Sequence, residues 1–285
     1  MTKPIIGVIG GSGLYKMEGL SNIKEIEVET PFGAPSAPIV QGDLEGATLC
    51  FLPRHGIGHR YLPHEINYRA NIFALKKLGV QWIISISAVG SMKEEIEPLH
   101  VVIPDQFFDR TYRREQTFFG NGIVAHVQFG DPVCPDLAAI LFDCAKEAGA
   151  TVHKGGTYIN IEGPQFSTRG ESEIFRSWGV SVIGMTNCTE AKLAREAELS
   201  YSTVAMVTDY DCWHEEEVTV EAVMAVISKN VSIARQTIKL AAKRLAEKPF
   251  TSKFANALQD ALMTPKDAIP EQLKRDLEPL IGKYI

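Results

Sequence analysis

The chain has 285 residues, of which 45% are apolar and 22% are charged, and its formal net charge is −6. Such a chain can bury one large core and is typical of a globular domain near the upper size limit. The negative charge disfavours a nucleic-acid or membrane partner, no apolar run is long enough to cross a bilayer, and the N-terminus lacks the layout of a signal peptide. We therefore expect a cytoplasmic protein.

The cysteines and histidines do not form a pattern typical of a metal site. No C-x-x-C pair occurs, and the H-x-x-x-H spacing of His55 and His59 lacks the nearby cysteine or carboxylate pair that would support it. Reduced thiols are expected at all five cysteines, which are Cys50, Cys134, Cys144, Cys188 and Cys212.

A glycine-rich loop, Gly10 to Leu14, follows the first predicted strand, Pro4 to Ile9. Its backbone N–H groups can approach a ligand closely, so the loop is either a structural turn or an anion cradle. Its glycine spacing differs from G-x-G-x-x-G and no good helix follows, which disfavours a dinucleotide site.

Strand and helix signals then alternate along the chain, with an aromatic-rich loop over 107–119. This alternation predicts a single α/β domain with a central, mixed but mainly parallel sheet flanked by helices. Strands are predicted over 23–29, 38–41, 48–52, 80–86, 101–103, 126–129, 157–161 and 180–183, and helices over 64–78, 136–148, 170–178 and 189–199.

Residues with useful chemistry follow several of these strands. Arg54 and His55 follow one strand, where a guanidinium is either a surface cap or a bidentate anion ligand. Small residues, Ser87 to Ser91, end another strand. Phe166 lies in a Gly-Pro loop and either stacks on a planar ligand or packs into the core.

The run Val204–Val207 is short and apolar, as expected of a strand buried on both faces, and it leads directly into Thr208-Asp209-Tyr210-Asp211. Two acids at the end of a buried strand need partners. The same edge is where open α/β sheets bind ligands. A long helix capped by Thr219 follows, and its first turn can line the same pocket.

The tail, residues 249–285, is more polar than the rest and carries Pro265, Pro270 and Pro279. We expect one or two short helices there, packed on the body of the chain or on a neighbouring subunit. The main domain is predicted to span residues 1–248.

Six motifs occur in this order: Gly10-Gly11-Ser12-Gly13-Leu14, Arg54-His55-Gly56, Asn67-Tyr68-Arg69-Ala70-Asn71, Glu162-Gly163-Pro164, Gly184-Met185-Thr186 and Thr208 to Trp213. Together they resemble the trimeric purine nucleoside phosphorylase family, and within it the 5′-methylthioadenosine phosphorylases. The resemblance implies a pentosyl transfer: phosphorolysis of 5′-methylthioadenosine to adenine and 5-methylthioribose 1-phosphate, as in methionine and purine salvage. Inorganic phosphate is then a co-substrate, and neither a cofactor nor a metal is expected.

The resemblance implies an anion site that binds phosphate and aims it at C1′. One guanidinium, several hydroxyls and small residues at strand ends provide the chemistry that such a site needs. The family more often has Thr where this chain has Ser12, and Ser keeps the hydroxyl. The implied phosphate residues are Ser12, Arg54, His55, Ser87, Ala88 (through its N–H) and Thr186.

The resemblance also implies that Met185 meets the ribose and that an apolar pocket takes the 5′-methylthio group. Val220, Val223 and Met224 suit that pocket by residue type. In the family a histidine of a neighbouring subunit approaches the same end, and His126 is the matching residue. A homotrimer is therefore expected, and a hexamer of two trimers has the same local interface.

The implied base subsite discriminates between purines. Asp209 would protonate N7 of the leaving adenine, and Asp211 would support it through a water or a hydrogen bond. Phe166 would stack on the base, and Ser167 and Thr208 would help to bind it. A protonated carboxyl donates to N7 and accepts from N6–H, whereas relatives acting on 6-oxopurines have an amide there. Burial at a strand end favours the protonated form.

Three alternatives remain. A phosphorylase of adenosine, of 6-oxopurine nucleosides or of methylthioinosine is close in mechanism, but the pair Asp209 and Asp211 disfavours 6-oxo substrates. An NAD-dependent oxidoreductase is disfavoured by the glycine spacing. A non-catalytic nucleotide-binding module would not need a cation and hydroxyls around a phosphate.

Overall fold

The computed structural model describes residues 3–11, 13–214 and 220–285. The strands are β1 Ile5–Gly10, β2 Ser21–Ile26, β3 Ile39–Leu44, β4 Ala47–Pro53, β5 Trp82–Ser91, β6 Val101–Ile103, β7 Gln106–Arg110, β8 Val152–Lys154, β9 Thr157–Ile161, β10 Val182–Gly184 and β11 Ser200–Asp209. The helices are α1 Tyr68–Lys77, α2 Pro135–Glu147, α3 Arg169–Ser177, α4 Asn187–Glu196, α5 Val220–Glu247, α6 Glu271–Asp276 and α7 Glu278–Ile281, with single 3-10 turns at Asp211–Trp213 and Lys266–Ala268.

The strands form one mixed sheet with β5 at its centre. The sheet runs in the order β2-β3-β4-β1-β5-β10-β9-β7, while β11 pairs with β5, β6 with β11 and β8 with β6. β5 is parallel to β1 and β11 and antiparallel to β10. The predicted α/β fold with a mainly parallel sheet is confirmed.

Helices cover both faces of the sheet. Side chains alternate along β5, so Ile83 packs in the cluster that contains α1 and α4, whereas Trp82 and Ile84 pack with α2 and α5. Burial on both faces explains why the central strands read as continuous apolar runs. Leu258 and Leu280 of the tail join the first cluster, so the tail packs on the body of its own chain. The division at residue 248 stays a prediction.

Some local predictions were wrong. Residues 126–129 form no strand, and next to them only an isolated bridge joins Ala125 to Leu262 of the tail. The segment predicted as an aromatic loop begins with β7, whose burial alternates along the edge of the sheet. The three-residue strand β8 was not predicted at all. Helix α1 begins at Tyr68 because the Asn67 side chain accepts the Ala70 N–H at 3.1 Å and caps it.

None of the helices in the described ranges is both long enough and apolar enough to cross a bilayer.

The C-terminal end of α4 anchors a neighbouring loop through a buried acid. The Glu196 carboxyl accepts the Phe118 N–H at 2.8 Å and the Thr117 hydroxyl at 2.7 Å. Burial nevertheless raises the pKa of Glu196 to about 7, against the effect of both hydrogen bonds. The native chain therefore holds this proton at pH values where the unfolded chain has lost it.

We expect the unfolding free energy to fall as pH rises from 4.5 to about 7, because the native state binds the Glu196 proton in that interval. This group alone should account for about 3 kcal/mol. Glu196→Gln keeps an acceptor for the Phe118 N–H and should remove this part of the slope in urea unfolding at about pH 5 and about pH 8. Glu247→Gln changes an exposed acid of α5 and is the control. A slope that persists in Glu196→Gln contradicts the assignment.

Candidate active site

Polar residues from β5, from β11, from the end of β4 and from helix α4 converge around the middle of β5. On one edge, β5 pairs with β1 as far as Ser85 and with β10 from Gly90 onward. Residues 86–89 have no strand partner on that edge within the described part of the chain. The Ile86 carbonyl accepts a hydrogen bond from Arg54 there, at 3.0 Å. Because every second residue points its backbone groups to the same edge, the Ala88 N–H faces the same gap.

Arg54 is buried and paired with an acid that the sequence did not single out. Its Nε lies 2.5 Å from Glu190 Oε1, and its Nη2 lies 3.2 Å from Oε2 and 2.7 Å from Ser85 Oγ. The side chain is only 5% exposed. Burial alone would lower the pKa of Arg54, but the Glu190 carboxylate outweighs it and raises that pKa above its ordinary value.

This pairing determines which N–H groups of the guanidinium are already used. Glu190 takes that fork, and one Nη1 N–H goes to the Ile86 carbonyl. The second Nη1 N–H is the donor without an acceptor among the described residues. Arg54 can therefore contribute one hydrogen bond and a fixed charge.

A buried network extends from Glu190 through α4 to β11. Glu190 Oε2 accepts the hydroxyls of Ser85 at 2.8 Å and Tyr201 at 2.9 Å. Asn187 is fully buried, and its Nδ2 lies within 3.0 Å of the oxygens of Ser85, Tyr201 and Thr203. Each member satisfies another, so the network fixes the first turn of α4 against the sheet.

The N-terminus of α4 lies beside this region, because Asn187 and Glu190 in its first turn contact Ser85 of β5. Thr186 precedes the helix and makes no side-chain cap, because its hydroxyl donates to Asn187 Oδ1 at 3.0 Å. The Cys188 N–H is held by Asn160 Oδ1 at 3.1 Å. A helix N-terminus carries partial positive charge and favours an anion. With Arg54, it makes this part of the site suitable for a phosphate-sized anion.

The other residues predicted to bind the anion are His55, Ser87 and Ser12. His55 follows Arg54 and is half-buried; burial lowers the pKa of its imidazole to about 4, with the hydrogen bond to the Tyr61 carbonyl opposing and the Arg54 charge adding. Ser87 is buried, with its hydroxyl 3.5 Å from that of Tyr158. Ser12 lies outside the described residues.

Asp209 stands at the end of β11, immediately after an irregularity in the strand. Val207 pairs with Val89 and Asp209 with Gly90, so Thr208 forms a β-bulge. Asp209 Oδ2 accepts the Thr208 hydroxyl at 2.7 Å, and Oδ1 accepts the Asp211 N–H at 2.8 Å. Burial raises the pKa of Asp209, although both bonds oppose this. The carboxyl is thus biased toward its protonated form.

Asp211 supports Asp209 through its main chain, and its carboxyl points elsewhere. It adopts a positive φ of 54° and accepts the Ser172 hydroxyl of α3 at 2.6 Å. Burial, with a contribution from the Asp209 charge, raises the pKa of Asp211. Thr208 is buried and its hydroxyl faces Asp209 and the Val89 carbonyl, so it positions the acid.

Gly90 makes room for Asp209. A Cβ at this position would lie 2.9 Å from Asp209 Oδ1 and 3.0 Å from Ile183 Cγ2, closer than real Cβ contacts. The absence of a side chain at Gly90 therefore allows the acid to lie directly against the strand that carries Ala88.

The loop after β9 borders the same region. Phe166 is 47% exposed, so it does not pack into the core. Ser167 Oγ is buried and has no hydrogen-bond partner within the described structure, while the Ser167 carbonyl accepts the Cys212 thiol at 3.2 Å. An exposed aromatic ring and a hydroxyl with unused hydrogen-bonding capacity are features of a site for a planar polar ligand.

Met185 is held by residues that the sequence did not reveal. Its carbonyl accepts Asn160 Nδ2 at 3.2 Å and also an Nη1 N–H of Arg114. Arg114 is buried and paired with Glu162 at 3.1 Å. Glu162 in turn accepts the Tyr112 N–H at 2.6 Å, which ties the loop after β7 to the site. The only sequence signal for these residues was the Glu162-Gly163-Pro164 motif.

Four predicted residues are not joined to the others by any described contact. Val220 and Met224, in the first turns of α5, are 69% and 57% exposed, and Val223 is half-buried. His126 is exposed on the loop after β7, and its N–H is held by the Ala261 carbonyl of the tail at 2.9 Å. Their roles stay predictions.

The chain is similar to known proteins both in sequence and in structure. Residues 5–243 match the family described as the Phosphorylase superfamily. The chain is 60% identical to S-methyl-5′-thioadenosine phosphorylase of Geobacter sulfurreducens, over 99% of both chains. It is similar to a crystal structure of methylthioadenosine phosphorylase from an antarctic soil metagenomic library, with a TM-score of 0.94, 48% identity and coverage of 98% of this chain and 99% of that one. For methylthioadenosine phosphorylase from Schistosoma mansoni in complex with adenine, the TM-score is 0.84, the identity 36% and the coverage 93% and 100%.

Glu190→Gln should lower the unfolding free energy by about 3–5 kcal/mol, because it leaves a buried guanidinium without its carboxylate. Inorganic phosphate should then raise the thermal unfolding midpoint more in this variant than in the wild type, since an anion beside Arg54 replaces the lost charge.

The matched control is Glu162→Gln, which breaks the comparable buried pair with Arg114. Arg114 keeps its bonds to the carbonyls of Ile161, Glu162 and Met185, so phosphate should stabilise this variant no more than the wild type. Equal phosphate stabilisation of the two variants would count against an anion site at Arg54.

Proposed function

Since the chain belongs to the Phosphorylase superfamily, we propose that it catalyses phosphorolysis of 5′-methylthioadenosine to adenine and 5-methylthioribose 1-phosphate. The observation that carries this proposal is that β5 has an anion-binding region on one edge and a buried carboxyl, Asp209, on the other. The anion-binding end of α4 and Arg54 lie on one edge of β5, and the Asp209 carboxyl lies against Gly90 of the same strand. A nucleophilic anion and a proton donor on opposite sides of a glycosidic bond are what phosphorolysis needs.

The reaction follows from that arrangement. A phosphate oxygen forms a bond to C1′ while the C1′–N9 bond breaks, and the electron pair of that bond leaves with the purine. Asp209 neutralises the departing base by giving a proton to N7. Burial raises the pKa of Asp209, which favours the protonated form that this step requires. Asp211 and Thr208 hold the acid in place.

The choice of base rests on the chemistry of Asp209. A protonated carboxyl donates to N7 and accepts from N6–H, which matches adenine. Phe166 offers a ring for stacking, and the unpartnered Ser167 hydroxyl offers one more polar contact to the base. A 6-oxopurine would instead set its O6 against an acceptor, so 6-amino nucleosides are the proposed substrates.

The sugar end of the proposed site is formed by Met185 and by the first turns of α5. Met185, whose main chain is fixed by Asn160 and Arg114, contacts the ribose. Val220, Val223 and Met224 form the apolar pocket for the methylthio group. Their exposure in a single chain is consistent with a pocket completed by a neighbouring subunit that brings His126. The proposed assembly is a homotrimer, with a hexamer of two trimers compatible with the same contacts.

Inorganic phosphate is the proposed second substrate, and the proposed chemistry requires no cofactor or metal, since proton transfer and anion binding are both supplied by side chains and backbone. The cytoplasm is the proposed compartment. Five free cysteines, four of them buried, suit a reducing environment.

The direct test measures the free base released from each nucleoside, with and without phosphate: adenine from 5′-methylthioadenosine and adenosine, and hypoxanthine from methylthioinosine. We expect adenine from 5′-methylthioadenosine only when phosphate is present, less from adenosine, and little hypoxanthine from methylthioinosine. Release that does not depend on phosphate indicates hydrolysis and overturns the proposal. Tight nucleoside binding without any release indicates a binding module and overturns it as well.

Asp209→Asn should reduce kcat/KM for 5′-methylthioadenosine about 10²–10⁴-fold, because the amide cannot give a proton to N7. The amide N–H₂ can donate to O6, so relative activity should shift toward methylthioinosine. Asp260→Asn, at an exposed acid of the tail, is the matched control and should leave the ratio unchanged. If Asp209→Asn lowers both activities in equal proportion, the base assignment is wrong.

A further inference from the structure

The connection between β5 and β6, residues 92–100, crosses β11 shortly before Asp209. Two main-chain hydrogen bonds fasten it there. The Leu99 N–H donates to the Val207 carbonyl at 2.9 Å, and the Val207 N–H donates to the His100 carbonyl at 3.0 Å. The side chain of Ile96, from the same connection, packs in the buried cluster that contains Val207. This edge of β11 is therefore held in place just before the acid.

The opposite edge of β11 is irregular at the same point. Val207 pairs with Val89 of β5 and Asp209 with Gly90, and the bulge at Thr208 lies between these pairs. A bulge disrupts the ladder and bends the strand that carries it. The direction in which the chain leaves Val207 therefore determines where the Asp209 carboxyl lies, and the connection fixes Val207 from the other side.

The connection makes both bonds because Leu99 has a left-handed backbone conformation. Its φ is 77°, in a region that residues with a side chain rarely adopt. The Leu99 side chain is 45% exposed, so its own packing contributes little to holding this conformation. A strained conformation of this kind persists where the surrounding contacts impose it.

His100 closes the turn that contains Leu99. The His100 N–H donates to the Glu97 carbonyl at 3.0 Å, and the Glu97 N–H donates back to His100 Nδ1 at 3.0 Å. Nε2 of His153, on β8, lies 3.0 Å from the same Nδ1. A main-chain N–H can only donate, so His100 Nδ1 is an acceptor and His153 Nε2 supplies the hydrogen of the second bond. Two donors from different elements thus hold the ring, and the ring holds the turn.

We propose that His100 is a positioning residue for Asp209: its Nδ1 closes the turn over residues 97–100, and the turn fixes Val207 and hence the acid at the end of β11. The inference rests on the proposed function, in which Asp209 gives a proton to the leaving purine. His100 acts through the main chain of the turn and needs no contact with the substrate. A displacement of about 1 Å in a reacting group can slow a reaction about 100-fold, so a small shift of Val207 is enough to lower the rate.

The first test measures kcat for 5′-methylthioadenosine and KM for phosphate in the whole enzyme. His100→Ala removes the acceptor of the Glu97 N–H and should lower kcat about 10-fold. The phosphate KM should stay within about twofold, because Arg54 contacts the other edge of β5. His100→Asn places Oδ1 close to the position of Nδ1, so it keeps an acceptor and should restore kcat to within about threefold of the wild type.

Three results of this test would overturn the inference. They are an unchanged kcat in His100→Ala, an equal loss of kcat in a folded His100→Asn, and a rise in the phosphate KM that matches the fall in kcat. The last result would mean that the substitution disturbs the whole site and not the acid alone.

Leu99→Gly tests whether the ring acts through the turn. Glycine adopts a positive φ without steric cost, so the turn should close with less help from His100. His100→Ala should therefore lower kcat by only about threefold or less in the Leu99→Gly background. A loss as large as in the wild-type background would contradict the proposed route.

A further measurement does not depend on activity. Amide hydrogen exchange at Val207 should be about 10-fold faster or more in His100→Ala than in the wild type, and should return toward the wild-type rate in His100→Asn. The amide of Val204, a fully buried residue of the same strand, is the internal reference. Unchanged exchange at Val207 in His100→Ala would overturn the inference, whatever reaction the enzyme catalyses. A wild type that releases no adenine would instead overturn the proposed function.

Discussion

The buried ion pair between Arg54 and Glu190 is the interaction on which the rest of the site depends. Taking two charges out of water costs several kcal/mol, and their attraction offsets this only when the remaining hydrogen-bonding groups are satisfied as well. Here Ser85 and Tyr201 complete the coordination of Glu190, and the Ile86 carbonyl takes a further arginine N–H. The pair joins the end of β4 to the first turn of α4 across the sheet. It therefore fixes the helix whose N-terminus belongs to the proposed anion site. The last turn of the same helix holds the loop at Phe118 through Glu196.

The sheet places the proposed anion site and the proposed acid, Asp209, by dividing around β5. β1 leaves this strand after Ser85 and β10 joins it at Gly90, which leaves the Ala88 N–H facing the anion side. On the other edge β11 follows β5 throughout, and the bulge at Thr208 sets Asp209 beside Gly90. The distance between anion and acid is thus determined by two residues of a buried strand. A separation set by rigid backbone is reproduced at every turnover, which is what a reaction through a short-lived transition state requires.

Much of the fold and of the candidate site could be predicted from local sequence pattern. The remainder depends on contacts between residues that are far apart in the sequence. The apolar run before Asp209 predicted β11, and the strand β9 was predicted with the bounds that the structure has. Glu190 was not identified, because it lies 136 residues from Arg54 and nothing local distinguishes it from other helical acids. Arg114 lies in a segment that reads as a loop, and its buried partners come from β9 and the loop before α4. The direction of the Asp211 carboxyl depends on the positive φ of this residue, which could not be predicted from the residue types around it.

The bulge residue, Thr208, gives the Asp209 carboxyl a hydrogen-bond arrangement that suits either of its protonation states. Thr208 Oγ1 lies 2.7 Å from Asp209 Oδ2 and 3.2 Å from the Val89 carbonyl oxygen. A hydroxyl has a single hydrogen and rotates freely, so it can donate to Asp209 when the acid is ionised and to Val89 when Oδ2 carries the proton. Both protonation states are then satisfied without movement of the backbone. A valine of the same shape would leave the ionised form short of a donor in a buried position, which is costly. The threonine therefore lets Asp209 lose and regain its proton at nearly constant geometry, and the same Asp209 Oδ1 stays tied to the Asp211 N–H throughout.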